Sequence, residues 1–149
     1  MTTTVLEHVA RIFKAIAHPT RIRLLAALRY GPLCVCQMTV VVELAPSTVS
    51  EHLAELRNAG LIMDRKDGRW VEYRLSDSAQ HVEILDPLWH ALEEDSEVGA
   101  DALLLKELRG IPVEQLCGVD LSRLRRPRRA TALTTAQQTR AQSGARKGR

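Results

Sequence analysis

The chain has 149 residues with 21 Lys and Arg against 18 Asp and Glu, a formal net charge of +3, and 45% apolar residues. That is enough for one domain with a real core and an added tail. With only Phe13, Tyr30, Trp70, Tyr73 and Trp89 aromatic, the core must be aliphatic. No apolar run approaches the ~18 residues of a membrane span, and Met1 to Glu7 lacks the basic start and apolar segment of a secretion signal.

Val5, Val9, Ile12, Phe13 and Ile16 repeat on one helical face, predicting an amphipathic helix over residues 4–17. His18-Pro19-Thr20 breaks and restarts it, because proline suits the first turn of a helix. Ile22, Leu24, Leu25 and Leu28 carry the second helix to Arg29, where Gly31-Pro32 stops it. A third, short helix is expected over residues 34–43. Its Val40-Val41-Val42 run has poor helix propensity and needs tertiary packing to hold it.

Pro46 opens a fourth helix whose inner stripe is Val49, Leu53 and Leu56 and whose cap is Gly60. Its outer face carries Ser47, Thr48, Ser50, Glu51, His52 and Arg57, short polar groups first, where they can meet base edges or phosphates. A short helix, a tight turn and such a polar-faced helix form a helix-turn-helix with the second helix in the major groove. Residues 61–65 and 70–75 flank the turn Lys66-Asp67-Gly68-Arg69, a hairpin with Val71, Tyr73 and Leu75 inward and Trp70, Glu72 and Arg74 outward. A hairpin placed there is a wing, and its basic tip, with Arg65, Lys66 and Arg69, suits a phosphate or minor-groove contact.

Residues 79–97 carry a long apolar stripe of Val82, Leu85, Leu88, Trp89 and Leu92. Asp86, His90 and Glu93 share another face and read as solvated. One more short helix is expected over residues 101–110, followed by Val113 to Gly118 with Cys117. The charge is lopsided. Residues 1–120 hold 12 basic and all 18 acidic residues, net −6, and nine basic residues follow from Arg123 onward. Residues 122–149 have little to bury and are expected to be disordered, with added salt-sensitive affinity for phosphate. The domain reading is 1–98 for DNA binding and dimerisation, 99–121 as an extension, and 122–149 as a basic tail.

Ala17 to Arg23, Leu33-Cys34-Val35-Cys36, Val49 to Leu53, Leu56 to Leu61 and Asp67 to Trp70 together resemble the ArsR (ArsR/SmtB) family of metal-sensing repressors across residues 8–78. The resemblance implies a mainly α fold with a β-hairpin wing (α+β), a homodimeric winged helix-turn-helix. It also implies binding to double-stranded operator DNA in the cytoplasm, with release when a metal or metalloid binds. The first helix and the 79–97 helix would form the dimer interface. Three positions depart from the pattern: Glu43 where a turn glycine is usual, Ala45 where a Ser or Thr cap is usual, and Glu51 where many members are basic.

The chemistry rests on cysteine. Soft metals and metalloids prefer thiolates, and Cys34 and Cys36 put two within reach of one ion. As(III) or Sb(III) takes three sulfurs. Many relatives supply the third from the same helix, and this chain has none nearby. The third donor is therefore Cys117, or a small thiol or hydroxide from solution; an organoarsenical would need only two. Residues i and i+2 of a helix lie about 200° apart, so capture by Cys34 and Cys36 is expected to unwind that turn. Three cysteines, an odd number with two almost adjacent, fit a reducing cytoplasm. The alternatives are a thiol-based oxidant sensor, or a Cd, Pb or Zn sensor. No phosphate loop or acid/base constellation supports an enzyme, and no organic cofactor is expected.

Overall fold

The computed structural model describes residues 2–117. The expected disordered tail at 122–149 lies outside the described residues, as does the end of the extension. The order is α1 (Val5–Ile16), α2 (Pro19–Leu28), β1 (Leu33–Cys34), α3 (Val35–Val42), α4 (Pro46–Asn58), β2 (Ile62–Asp67), β3 (Trp70–Leu75), α5 (Ala79–Ala91), α6 (Ser96–Leu108) and α7 (Val113–Leu116). Among the described residues no helix is long and apolar enough to cross a membrane.

The helix starts follow local hydrogen-bond chemistry. Thr4 and Glu7 close a capping box on α1: the Thr4 amide donates to the Glu7 carboxylate at 2.8 Å and the Glu7 amide to the Thr4 hydroxyl at 3.2 Å. His18 caps α2, its Nδ1 accepting from the Thr20 amide at 3.1 Å ahead of Pro19. Val40, Val41 and Val42, poor helix formers, are all buried, so packing overrides propensity in α3. Leu24, Leu25, Met38, Val49, Leu53 and Leu56 form the centre of the core at α2, α3 and α4.

The turn from α3 to α4 carries two of the three sequence departures. Glu43 stands in the left-handed region, φ +54° and ψ +39°, the only non-glycine with positive φ among the described residues. A side chain costs about 1 kcal/mol there. Glu43→Gly should raise unfolding stability by about 0.5–1 kcal/mol in a urea titration; no gain would mean the Glu43 side chain offsets its own strain. Ala45 gives α4 no side-chain cap, and Pro46 at the first turn takes up the task. At the other end the Gly60 amide donates to the Arg57 carbonyl and the Leu61 amide to the Leu56 carbonyl. With Gly60 at φ +76° this is a Schellman closure.

The wing is larger than a hairpin. β1, β3 and β2 form a three-stranded antiparallel sheet, with Leu33 opposite Tyr73 and Cys34 opposite Glu72. Two-residue β1 is too short for alternation to reveal it. Asp67 pairs with Trp70, so the loop is Gly68-Arg69, one residue beyond the expected centre. Gly68 alone there takes positive φ (+57°), as the first position of a II′ turn allows. Tyr73 and Leu75 pack on the core, but Val71, expected inward, is exposed because the hairpin tip extends past the core's edge.

The expected long helix over 79–97 is two helices. It ends at Ala91, and Asp95 starts α6 by accepting from the Glu97 and Val98 amides at 3.0 and 2.9 Å. The domain boundary expected after residue 98 therefore falls inside α6. That helix packs on α2 and α3 and buries Leu105 and Leu108 in the same core. Val5, Leu6 and Phe13 on α1 and Val82 on α5 remain exposed, 73%, 78%, 54% and 48%.

Candidate functional site: a three-cysteine cluster beside a helix-turn-helix

Cys34 ends β1 and precedes the first turn of α3 with an extended backbone, φ −88° and ψ 164°. It is buried, and its amide donates to the Gln37 side-chain oxygen at 2.9 Å. Cys36 lies in the first turn of α3, where the Thr39 hydroxyl donates to its carbonyl at 2.7 Å. Cys117 arrives from the far end of the described chain: α6 runs along α2 and α3, and α7 turns back onto α3 with Leu116 buried. The sulfurs of Cys34, Cys36 and Cys117 all lie within 4.8 Å of one another. Cys36 and Cys117 are joined as a disulfide, with Cα atoms 5.5 Å apart, and Cys34 is a free thiol.

This geometry corrects one expectation. Cys34 is not a helical residue, so the 200° argument does not apply, and the three sulfurs converge without unwinding α3. The donor set suits a thiophilic ion once the disulfide is reduced, since a disulfide offers no thiolate. No second group of three His, Cys, Asp or Glu donors comes together among the described residues. His90 and Glu93 stand 3.5 Å apart on an open face, 88% and 72% exposed, in keeping with a solvated surface.

On α4 the expected DNA-facing residues divide. Ser47, Ser50, Glu51 and Arg57 are exposed and Thr48 is half-buried, opposite the buried stripe of Val49, Leu53 and Leu56. His52 is half-buried: its ring lies 4.5 Å from that of His18, and burial, then His18 and Arg21, push its pKa below the ordinary value. Arg57 is 3.6 Å from Asp64 at the base of the wing, so part of its charge is already matched. Arg65, Lys66 and Arg69 are exposed at the hairpin tip.

Two polar features escaped the sequence reading. Arg23 of α2 grips Asp101 of α6 with Nε and Nη2, one edge of its guanidinium, at 2.8 and 2.9 Å, and donates to the Val41 carbonyl at 2.9 Å. The hydrogen bond to Asp101 raises the Arg23 pKa, keeping it charged. The signal was an Asp at the i, i+4, i+7 positions shared with Leu105 and Leu108, a carboxylate in an apolar stripe. His81 of α5 is buried with neither ring nitrogen hydrogen-bonded, 5.7 Å from the His8 ring. Burial, then His8, hold its pKa below the ordinary imidazole value.

For His52 and His81 the folded state resists the proton that the unfolded chain accepts near pH ~6.5. Their stabilising contribution is therefore present above that pH and lost as pH falls through the folded pKa. The melting temperature should drop between about pH 7.5 and pH 5. His81→Leu should lessen the drop and add about 1 kcal/mol, by removing a buried polar ring with no partner. An unchanged pH profile in His81→Leu would show that the ring does not titrate with unfolding.

Known proteins share the helix-turn-helix and its wing. Residues 18–64, from the α2 cap through α4 into the wing, match the family model described as bacterial regulatory protein, arsR family. The chain is 47% identical over 79 residues to the arsenic resistance transcriptional regulator ArsR1 of Pseudomonas putida, covering 52% of this chain and 56% of that relative. It is 38% identical over 106 residues to ArsR2 of the same organism, covering 68% of this chain and 90% of that relative. Among solved structures it resembles the homodimeric winged helix-turn-helix domain of Mb0332 from Mycobacterium bovis, with a TM-score of 0.55 and 26% identity over 60% of this chain and 82% of that one. The relatives are transcriptional regulators rather than enzymes. A helix-turn-helix with its wing, matched across most of ArsR2, leaves one assignment: the chain belongs to the arsR family of bacterial regulatory proteins.

Proposed function

We propose that this protein is a homodimeric repressor that holds operator DNA when ligand-free and lets go when trivalent arsenic or antimony is captured by Cys34, Cys36 and Cys117. The observation that carries the reading is the convergence of three sulfurs, from the start of α3 and from α7, within 4.8 Å. Arsenous acid, As(OH)3, would exchange its three hydroxyls for three sulfurs and release three waters. The relatives named for arsenic resistance support the same ligand. The exposed apolar residues of α1 and α5, together with the homodimeric relative, support the dimer.

In this reading α4 enters the major groove with Ser47, Thr48, Ser50 and Glu51 foremost, and Lys66 and Arg69 add backbone contacts from the wing. Arg57, with Asp64 beside it, and half-buried His52, beside His18, are weaker contacts. Release follows from linkage: a hundredfold loss of operator affinity requires the ligand to favour the free form by ~2.8 kcal/mol. Cys34 pairs through its backbone with the wing strand and leads into the helix before α4. Pulling its sulfur toward Cys36 and Cys117 therefore acts on both reading elements. The protein works in a reducing cytoplasm, and the basic tail adds phosphate affinity.

The test is fluorescence anisotropy of a labelled operator with the reduced protein, titrated with arsenite, antimonite, methylarsenite, Cd(II) and Zn(II). Release by arsenite or antimonite at the lowest concentrations is expected; release by none of the arsenicals or antimonite overturns the reading. The Cys36–Cys117 disulfide favours one second reading, an oxidant-responsive regulator. In that case a hydroperoxide, taking two electrons and two protons from the thiol pair, would free the operator and arsenite would not.

A further inference from the structure

Cys117 reaches the other thiols across 81 residues of chain, and in the reduced protein no covalent bond keeps it there. What brings it back is the path of α6 and α7. Leu105, Leu108 and Leu116 bury that path, but apolar side chains tolerate sliding and leave register loosely defined. Arg23 does not. Its Nε and Nη2 hold the two carboxylate oxygens of Asp101, Nη2 also donates to the Val41 carbonyl in the last turn of α3, and Nη1 lies 3.2 Å from Glu97. A planar fork with fixed donor directions sets both the height and the rotation of α6 against the helix that carries Cys36. A second tie, Arg109 Nη2 to the Gly31 carbonyl at 3.2 Å, lies about two turns further toward Cys117.

We propose that Arg23 and Asp101 are a positioning pair that presents Cys117 to Cys36 and Cys34, and that this pair selects inorganic trivalent arsenic over organoarsenicals. The selectivity half rests on the metalloid reading above. Arsenous acid needs the third sulfur. Phenylarsenous acid, C6H5As(OH)2, already bears one As–C bond and exchanges two hydroxyls for two sulfurs, releasing two waters. Cys34 and Cys36 suffice for it. Loosening α6 therefore weakens the first ligand and spares the second.

The positioning half has a readout that involves no arsenic. The equilibrium of the full chain with oxidised glutathione, in which the Cys36 and Cys117 thiols become a disulfide and two reduced glutathiones are released, measures the effective concentration of one sulfur at the other. Two variants are compared with wild type: Asp101→Asn, and Arg23→Lys, which keeps the cation but loses the fork. Circular dichroism and ligand-free operator affinity verify the fold, and Arg23→Lys carries the test if Asp101→Asn does not fold. The expected result is a fall in that equilibrium constant of at least about fivefold, ~1 kcal/mol.

In the same variants, thiolate-to-arsenic absorbance should show arsenite weakened by about tenfold and phenylarsenite by less than about twofold, a difference of ~1 kcal/mol. Adding Cys117→Ser to either variant should cost arsenite nothing further. An unchanged glutathione equilibrium in a folded variant overturns the positioning role. Equal weakening of both arsenicals overturns the selectivity role, since a merely structural defect would do that. If wild type binds neither arsenical while the glutathione equilibrium shifts as expected, the metalloid reading and the selectivity fall together, and the positioning pair stands.

Discussion

Replacing Cys36 with serine should raise the arsenite concentration needed to release operator DNA by at least about a hundredfold, ~2.8 kcal/mol. Cys36 is the middle member of the cluster, on α3 and bonded to Cys117 in the oxidised protein. Its loss leaves Cys34, buried at the end of β1, and Cys117 at the end of α7. A serine hydroxyl stays protonated near neutral pH and is a hard, weak donor for a soft ion. Cys34→Ser should act similarly. Cys117→Ser should cost less, about tenfold, because two thiolates with a solvent hydroxide still hold arsenic. Anisotropy titrations of the three reduced variants give the order directly. Release by Cys36→Ser at the wild-type arsenite concentration would remove these residues from the sensing role.

Arg23→Met should lower unfolding stability by about 3 kcal/mol, the range found when one partner of a buried ion pair is removed. The Asp101 side chain is only 10% exposed, so its carboxylate keeps its desolvation cost and loses its counter-ion. The Val41 carbonyl loses a donor as well. The double variant Arg23→Met, Asp101→Leu should recover most of the loss, since a packed apolar pair is nearly as stable as a buried ionic one. Urea unfolding of the two single variants and the double variant measures this. A loss below about 1 kcal/mol for Arg23→Met would show that water replaces the guanidinium.

The helices that carry their own periodic signal were legible in the sequence: α1, α2 and α4, with Pro19 and Pro46 as starts and Gly60 as a stop. The wing was legible from alternation around Asp67-Gly68. What escaped depends on distant partners. β1 is a strand only because β3 lies beside it, and two residues have no period. The break before α6 turns on Asp95 as a cap, a signal hidden inside a run of acidic residues. At the site, Cys34 and Cys36 were legible as a pair, but their relative direction was not. That direction follows from Cys34 pairing with Glu72 rather than joining α3. The contact of His52 with the ring of His18, 34 residues earlier in the chain, was likewise out of reach of any local pattern. Arg23 and Asp101 meet across 78 residues, beyond any local pattern.

Thr39 has a consequence for how such a site can change over generations. It stands one helical turn after Cys36, buried, with its hydroxyl bonded to the Cys36 carbonyl. A cysteine at that position would put a third sulfur on α3 itself. The ligand set would then be encoded within six consecutive residues, and Cys117 would be spare. A lineage that made that exchange would be free to recast the end of its chain, keeping only the leucines of α6 and α7 that fill the core. With threonine there, the proposed ligand set draws on the start of α3 and the end of α7, and the two must be inherited together.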